Sequence, residues 1–133
     1  MPSPLLPGPT VTLPAPGRER VLVACLCAAW CGSCRDYRPT FDALAARFGA
    51  DTEFVWIDVE DEADALGDPD IENFPTLLIA RGATPLFLGP VTPQPQTAER
   101  LVQSALAGEL AAVGDDLAVG LVPKVRRVVA DAG

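Results

Sequence analysis

Four cysteines within ten residues are the part of this sequence whose residue types and spacing point most directly to chemistry. Cys25 and Cys27 lie two residues apart, and Cys31 and Cys34 follow three residues apart. The chain has no histidine, which excludes Cys–His nucleophiles, Ser–His–Asp triads and histidine metal ligands. The C-x-x-C spacing suits thiol–disulfide exchange, in which one thiolate attacks a disulfide and a second thiol resolves the mixed disulfide.

The Cys31–Cys34 pair lies where a predicted strand gives way to a predicted helix. The first N–H groups of a helix have no partners and the helix dipole favours negative charge, so a thiolate is stabilised there. We therefore predict that Cys31, at the open end, attacks, and that Cys34, one turn inward, resolves. Arg35 and Arg38 add positive charge within about a turn of the helix, which favours the thiolate further.

A zinc site is the alternative for these sulfurs, since a C-x-x-C can supply half of a zinc ligand set. Cys25 and Cys27 lie on the predicted strand, however, and the helix turns away after Cys31. Structural zinc sites usually gather paired ligands from two separated loops. We therefore favour a simpler role for Cys25 and Cys27, as small apolar residues packed inside the protein. The sequence predicts no metal and no cofactor.

The apolar pattern predicts the elements that position the cysteines. Residues 20–27 form a continuous apolar run, typical of a strand buried on both faces. A helix follows, kinked at Pro39 and ended by Gly49, and its apolar stripe consists of Tyr37, Phe41, Leu44, Ala45 and Phe48. The later elements are a strand over 52–59, a short helix near 61–66, strands over 76–80 and 86–88 joined by a hairpin at 81–85, and a helix around 98–106 that begins at Thr92-Pro93 or at Thr97.

This order predicts an α/β fold with a central mixed sheet flanked by helices. Helices between the early strands require parallel pairing, whereas the short late loop requires an antiparallel pair. We expect a Pro-rich segment over residues 1–17, a domain over 18–108 and a C-terminal extension over 109–133. The extension is interpreted as a tail with a candidate helix from Pro123 onward.

Charge and hydropathy restrict the partners and the location. The formal net charge is −8, which argues against nucleic acid and anionic membrane surfaces, since both need clustered Lys and Arg. No apolar run approaches the ~20 residues that a bilayer requires. The first residues lack the features of a secretory signal. We therefore expect the chain in the cytoplasm, where thiols are kept reduced.

Three motifs in order along the chain resemble the thioredoxin family. They are Trp30-Cys31-Gly32-Ser33-Cys34, Pro39 five residues after the second cysteine, and Phe74-Pro75-Thr76-Leu77-Leu78 before the hairpin. The resemblance spans roughly residues 20–107 and implies a thioredoxin-like fold. It also implies thiol–disulfide exchange on protein clients with disulfides, with a thiol reductant or a reductase as the second partner.

The resemblance further implies a client-binding surface. Pro75 would follow a cis peptide bond and pack beside the cysteine pair. The backbone of Phe74 would hydrogen-bond an extended client segment, a form of strand addition. Trp30, Phe74, Pro75 and Thr76 are therefore the predicted substrate-binding residues.

The sequence departs from the family at three points. Cys25 stands where the family has a buried aspartate that relays the resolving cysteine's proton, and Cys27 stands where an aromatic residue is usual. Asp58 replaces that aspartate only if its side chain reaches the same pocket. Only Pro14 to Glu19 separate a possible strand at 10–13 from the central strand, so the first helix is predicted to be shortened or missing. These departures leave a second hypothesis open, a thioredoxin-like binding module with little redox turnover.

Overall fold

The computed structural model describes residues 20–28, 30–67, 75–92 and 94–132. Its strands are β1 (Val21–Cys27), β2 (Thr52–Asp58), β3 (Thr76–Arg81) and β4 (Thr84–Pro90), and its helices are α1 (Gly32–Phe48), α2 (Ala63–Leu66), α3 (Pro95–Leu106) and α4 (Asp116–Ala132), with a short 3-10 turn at Gly49–Asp51. The predicted order of elements is confirmed up to α3. The Pro-rich segment and the shortened first helix, both predicted before residue 20, lie outside the described residues.

The four strands form one mixed sheet in the order β2-β1-β3-β4. β1 pairs parallel with β2 and antiparallel with β3, and β3 pairs antiparallel with β4. All seven residues of β1 are buried, because this strand has a neighbour on each side and helices on both faces. The predicted mixed sheet, with its parallel early pair and antiparallel late pair, is confirmed.

Side-chain alternation along β1 divides the core into two layers. Val23, Cys25 and Cys27 point to the face covered by α1 and α3, which we call the cysteine face. Leu22, Ala24 and Leu26 point to the opposite face, covered by α2 and α4. Because successive strand residues face opposite sides, both strand cysteines lie under α1.

α1 follows the predicted pattern. Its buried residues are Cys34, Tyr37, Phe41 and Leu44, and Pro39 lies inside the helix. Gly49 follows the last helical residue with φ of 59°, a conformation that glycine adopts without steric cost. α3 begins at Pro95, between the two predicted starts, since proline suits the first helical turn, where no donor is needed.

The predicted helix start at Pro123 is wrong. α4 begins at Asp116 and carries Pro123 in its interior. The Oδ2 atom of Asp115 accepts a hydrogen bond from the Ala118 N–H at 3.3 Å, which is a side-chain cap at the helix start. Leu121 and Val125 are buried on the sheet face opposite the cysteines. Burial of this apolar stripe outweighs the hydrogen bond that an interior proline removes.

Candidate active site

Cys31 occupies the position immediately before α1. Its backbone is extended, with φ of −84° and ψ of 116°, and its N–H donates to the Ala28 carbonyl at 3.0 Å. The side chain is half-buried and packs against the core on the cysteine face. Cys31 is a free thiol. Its position at the amino end of the helix is the one that the sequence predicted for the attacking sulfur.

Cys34 lies in the first turn of α1 and is bonded to Cys27 rather than to Cys31. The Cα atoms of Cys27 and Cys34 are 5.9 Å apart, and each residue is only 1% exposed. The expectation that Cys27 merely fills space is therefore wrong. Cys27 ends β1 on the cysteine face; strand alternation puts its side chain on that face, and the packing of α1 there brings its sulfur to Cys34.

Cys25 is a free, fully buried thiol behind this disulfide. Its Sγ atom lies 3.6 Å from the Sγ atom of Cys27. Burial raises the pKa of the Cys25 thiol from 9.0 to about 12, and the positive charge of Arg38 opposes that rise. At neutral pH the thiol therefore stays protonated, and it cannot accept a proton as a buried carboxylate would. The prediction that Cys25 packs as a small apolar residue is confirmed.

Asp58 is the last residue of β2 and lies beside Cys27 in the sheet register. Its Oδ1 atom accepts hydrogen bonds from the backbone N–H groups of Glu60 and Asp61, at 2.9 and 3.1 Å. These bonds tie the carboxylate to the turn that follows the strand. Asp58 thus lies beside Cys27 in the sheet, and its Oδ1 atom is already hydrogen-bonded to the backbone of the following turn.

Trp30 lies at the surface beside Cys31. It is 64% exposed, and its Nε1–H donates to Glu60 Oε2 at 2.8 Å. The indole thus stands outside the core, held against the turn after β2. An exposed aromatic ring next to a thiol provides apolar contact area for a client.

The start of β3 lies at the same end of the sheet as the cysteines. Thr76 is buried and pairs with Leu26 on β1, one residue before Cys27. Pro75 is also buried, and its carbonyl accepts a hydrogen bond from Val91 N–H at 3.1 Å. The structure therefore brings Pro75 and Thr76 to the cysteine end of the sheet. Phe74 and the predicted cis peptide bond before Pro75 lie outside the described residues.

The two arginines predicted to favour the thiolate differ in their contacts. Arg35 Nη2 lies 3.9 Å from the point that a Cβ atom on Gly32 would occupy, so this guanidinium lies at the start of the helix. The Arg38 guanidinium lies 4.8 Å from the centre of the Trp56 ring, and its Nε atom is 3.3 Å from Asp42. Arg35 is therefore near the helix start beside Cys31, whereas the contacts of Arg38 are with Trp56 and Asp42.

Two further requirements bear on the described part of the chain, those of a metal site and of a membrane-spanning helix. Among the described residues, no group of three or more cysteine or acidic side chains is arranged to hold a metal ion. The zinc alternative thus has no ligand set there, because Cys27 and Cys34 are bonded to each other. None of the described helices is long and apolar enough to cross a membrane.

Comparisons with known proteins agree with this geometry. Residues 15–103 match the family model described as Thioredoxin. Thioredoxin from Gallus gallus is 38% identical over 58 residues, covering 44% of this chain and 54% of the relative. Thioredoxin H2-1 from Oryza sativa subsp. japonica is 35% identical over 63 residues, covering 47% of this chain and 45% of the relative. The chain thus spans about half the length of the curated relatives it matches.

Solved structures agree on the fold. The crystal structure of the germline-specific thioredoxin Deadhead from Drosophila melanogaster superposes with a TM-score of 0.58 at 19% identity, covering 65% of this chain and 81% of that chain. Mitochondrial thioredoxin 3 from Saccharomyces cerevisiae, in its oxidised form, superposes with a TM-score of 0.56 at 22% identity, covering 65% of this chain and 80% of that chain. At this level of identity the likeness shows the α/β sheet with its flanking helices.

Proposed function

Because this chain belongs to the thioredoxin family, we propose that it is a thiol–disulfide oxidoreductase that reduces disulfide bonds in client proteins. The observation that carries the proposal is the free, half-buried thiol of Cys31 immediately before α1, with Cys34 in the first turn of the same helix. A sulfur at a helix start is held where its anion is stabilised, and the anion is the nucleophile. Arg35 lies near the same helix start.

The reaction proceeds in two exchanges. The Cys31 thiolate attacks one sulfur of a client disulfide, so that a mixed disulfide forms and one client thiolate leaves. The Cys34 thiolate then attacks the Cys31 sulfur, which releases the second client thiolate and leaves a Cys31–Cys34 disulfide. Two electrons have passed to the client, and an external thiol reductant or a reductase restores both thiols.

The client lies across the end of the sheet in this proposal. The exposed ring of Trp30 provides an apolar contact next to the attacking sulfur. The loop before β3 supplies backbone for an extended client segment, because Pro75 and Thr76 lie at the cysteine end of the sheet. Phe74 remains the predicted residue for that backbone contact. Protein clients also suit a chain with a net charge of −8, since nucleic acid would be repelled.

We place the protein in the cytoplasm as part of the same proposal. A reductase works only where its dithiol is kept reduced, and glutathione and thioredoxin-type systems do so in the cytosol. Fractionation of cells that express the full-length protein would test this location.

Insulin reduction tests the activity. Full-length protein with dithiothreitol should accelerate the precipitation of insulin chains, and Cys31→Ser should reduce the rate to that of dithiothreitol alone. Gln103→Ser, on the exposed side of α3, is a matched control that should keep the wild-type rate. Cys34→Ser should accumulate covalent client adducts, because the mixed disulfide then has no resolving thiol.

The binding-module hypothesis predicts a different set of results. The Cys31→Ser, Cys34→Ser double variant would then retain clients as tightly as the wild type, and the wild type would not accelerate insulin precipitation. Those two results together would reject the oxidoreductase proposal in favour of the binding module.

A further inference from the structure

The four cysteine sulfurs form one series across the junction of β1 and α1. Cys31 lies at the surface end, Cys34 follows in the first turn of the helix, and Cys34 is bonded to Cys27 on the strand below. Cys25 Sγ lies 3.6 Å beyond Cys27 Sγ. The two exchanges of the proposed function use only Cys31 and Cys34, so Cys27 has no role in them.

We propose that Cys27 is a second resolving cysteine, which takes Cys34 from the Cys31–Cys34 disulfide and returns Cys31 to the free thiol; this rests on the proposed function. In this step the Cys27 thiolate attacks the Cys34 sulfur. The Cys27–Cys34 bond forms, the Cys31–Cys34 bond breaks, and Cys31 leaves as the thiolate. The proton of the Cys27 thiol passes to solvent or to Cys31. One disulfide replaces another, so no additional oxidant is required.

The backbone geometry places Cys34 between two partners. Cys31 precedes Cys34 by three residues, a spacing at which side chains at a helix start are neighbours. Cys27 lies across from Cys34, with a Cα separation of 5.9 Å, inside the range that a disulfide bridges without backbone movement. The Cys34 sulfur can therefore exchange Cys31 for Cys27 by a change of side-chain partner alone.

The series of exchanges ends at Cys27. Cys25 is fully buried, and burial raises the pKa of its thiol to about 12. Cys27 ends the strand beneath the first turn of α1, whereas Cys25 lies two residues farther back on the strand and remains a free thiol beside the Cys27–Cys34 bond. The disulfide bond thus stays between Cys27 and Cys34, and Cys25 remains a thiol.

Burial of the Cys27–Cys34 bond determines how it is reduced. Both residues are 1% exposed, so an external thiol meets Cys31 and not the bond itself. The return path is then the reverse exchange, in which Cys31 attacks Cys34 and the surface disulfide is reduced from outside. Meanwhile the oxidised protein keeps one reactive thiol, Cys31, which can form a mixed disulfide with a second client for an external thiol to resolve.

Disulfide mapping without reduction tests the final location of the bond. The reduced full-length chain is oxidised with one equivalent of diamide, which joins a pair of thiols, and the remaining thiols are blocked with N-ethylmaleimide in denaturant. Trypsin cuts after Arg20 and Arg35, and chymotrypsin cuts after Trp30. Digestion therefore separates a fragment with the two strand cysteines, residues 21–30, from one with the two helix cysteines, residues 31–35.

The expected final product is the two fragments joined, with N-ethylmaleimide on Cys25 and Cys31. At early times fragment 31–35 should carry an internal Cys31–Cys34 bond, which decays as the joined product grows. A stable internal bond in fragment 31–35, with both strand cysteines blocked, would overturn the proposal. This result needs no variant, so it stands even if a substitution impairs folding.

Two variants test the route. In Cys27→Ala, oxidation should stop at the Cys31–Cys34 bond, so that N-ethylmaleimide no longer labels Cys31. The matched control Cys25→Ala should still give the joined fragments. Cys31→Ser should form the buried bond under diamide but release it to dithiothreitol at least about tenfold more slowly than wild type, since its internal thiolate is gone. Equal release rates in Cys31→Ser and wild type would refute the route through Cys31.

These outcomes are separable from those of the proposed function. Diamide oxidation needs no client, so the mapping is informative even if insulin is not reduced. If Cys27→Ala and wild type both reduce insulin while the joined fragments never form, the proposed function holds and the role of Cys27 is rejected.

Discussion

Tyr37 offers a sensitive test of the buried layer beneath the cysteines, because it is the only tyrosine in the chain. It is 1% exposed, and its hydroxyl has no hydrogen-bond partner among the described residues. Burial, together with the neighbouring Cys25, raises the pKa of Tyr37 from 10.0 to about 12. The perturbation to apply is therefore alkaline pH.

The expected size of the effect follows from this shift. At pH 11 only about a tenth of the folded protein should carry the phenolate, against about nine tenths of the unfolded protein. The unfolded chain releases the proton first, so the stabilisation is complete below pH 10 and is lost as the pH rises towards 12. The total loss from Tyr37 is about 3 kcal/mol of unfolding free energy.

The assay is absorbance at 295 nm, which reports the phenolate, with circular dichroism recorded on the same samples. Protein in guanidinium chloride provides the unfolded titration, and Tyr37→Phe provides the baseline. Cys25→Ala should lower the midpoint of Tyr37, since the thiolate that opposes the phenolate is gone. A folded-state midpoint near pH 10, with the circular dichroism unchanged, would refute this account of the buried layer.

Three further substitutions test packing and client contact. Tyr37→Phe should raise the free energy of unfolding in urea by about 1 kcal/mol, because it removes a buried hydroxyl without a described partner; a loss of stability would contradict this. Leu121→Ala should lower the free energy of unfolding by about 2–5 kcal/mol, since Leu121 packs from α4 into the core and is 2% exposed. The control Leu117→Ala, at a residue that is 39% exposed, should lower it by less than about 1 kcal/mol. Trp30→Ala should lower kcat/KM for insulin severalfold with unchanged urea unfolding, and an unchanged kcat/KM would remove Trp30 from the client surface.

The elements around the cysteines could be predicted because their apolar patterns leave few alternatives. β1 is a run of seven apolar residues, short and rich in valine, which favours a strand covered on both faces. α1 places its buried residues at helical spacing despite Pro39, since one proline removes a single hydrogen bond while the stripe keeps its contacts. The C-x-x-C motif at the predicted junction of strand and helix then placed Cys31, the predicted attacking thiol, at the helix start, where the structure has it.

The partner of Cys34 could not be predicted from local spacing. A C-x-x-C motif suggests that its two cysteines bond to each other, and only the packing of α1 on β1 brings Cys27 to Cys34. The start of α4 was missed for another reason. Proline is common in the first helical turn, which favours a start at Pro123, whereas Asp115 caps the helix and is one of the residue types that usually signal a helix start.

The disulfide joins residues only seven positions apart in the sequence, both at one strand–helix junction. We expect the opening or closing of so small a ring to alter the chain locally and to leave the sheet order and both helical layers in place. Any change of shape is therefore confined to the segment between Cys27 and Cys34, which holds Trp30 and Cys31 of the proposed client surface. Under the proposed function, the redox state of the protein would therefore act on a client through Trp30 and Cys31, while the rest of the fold stays the same.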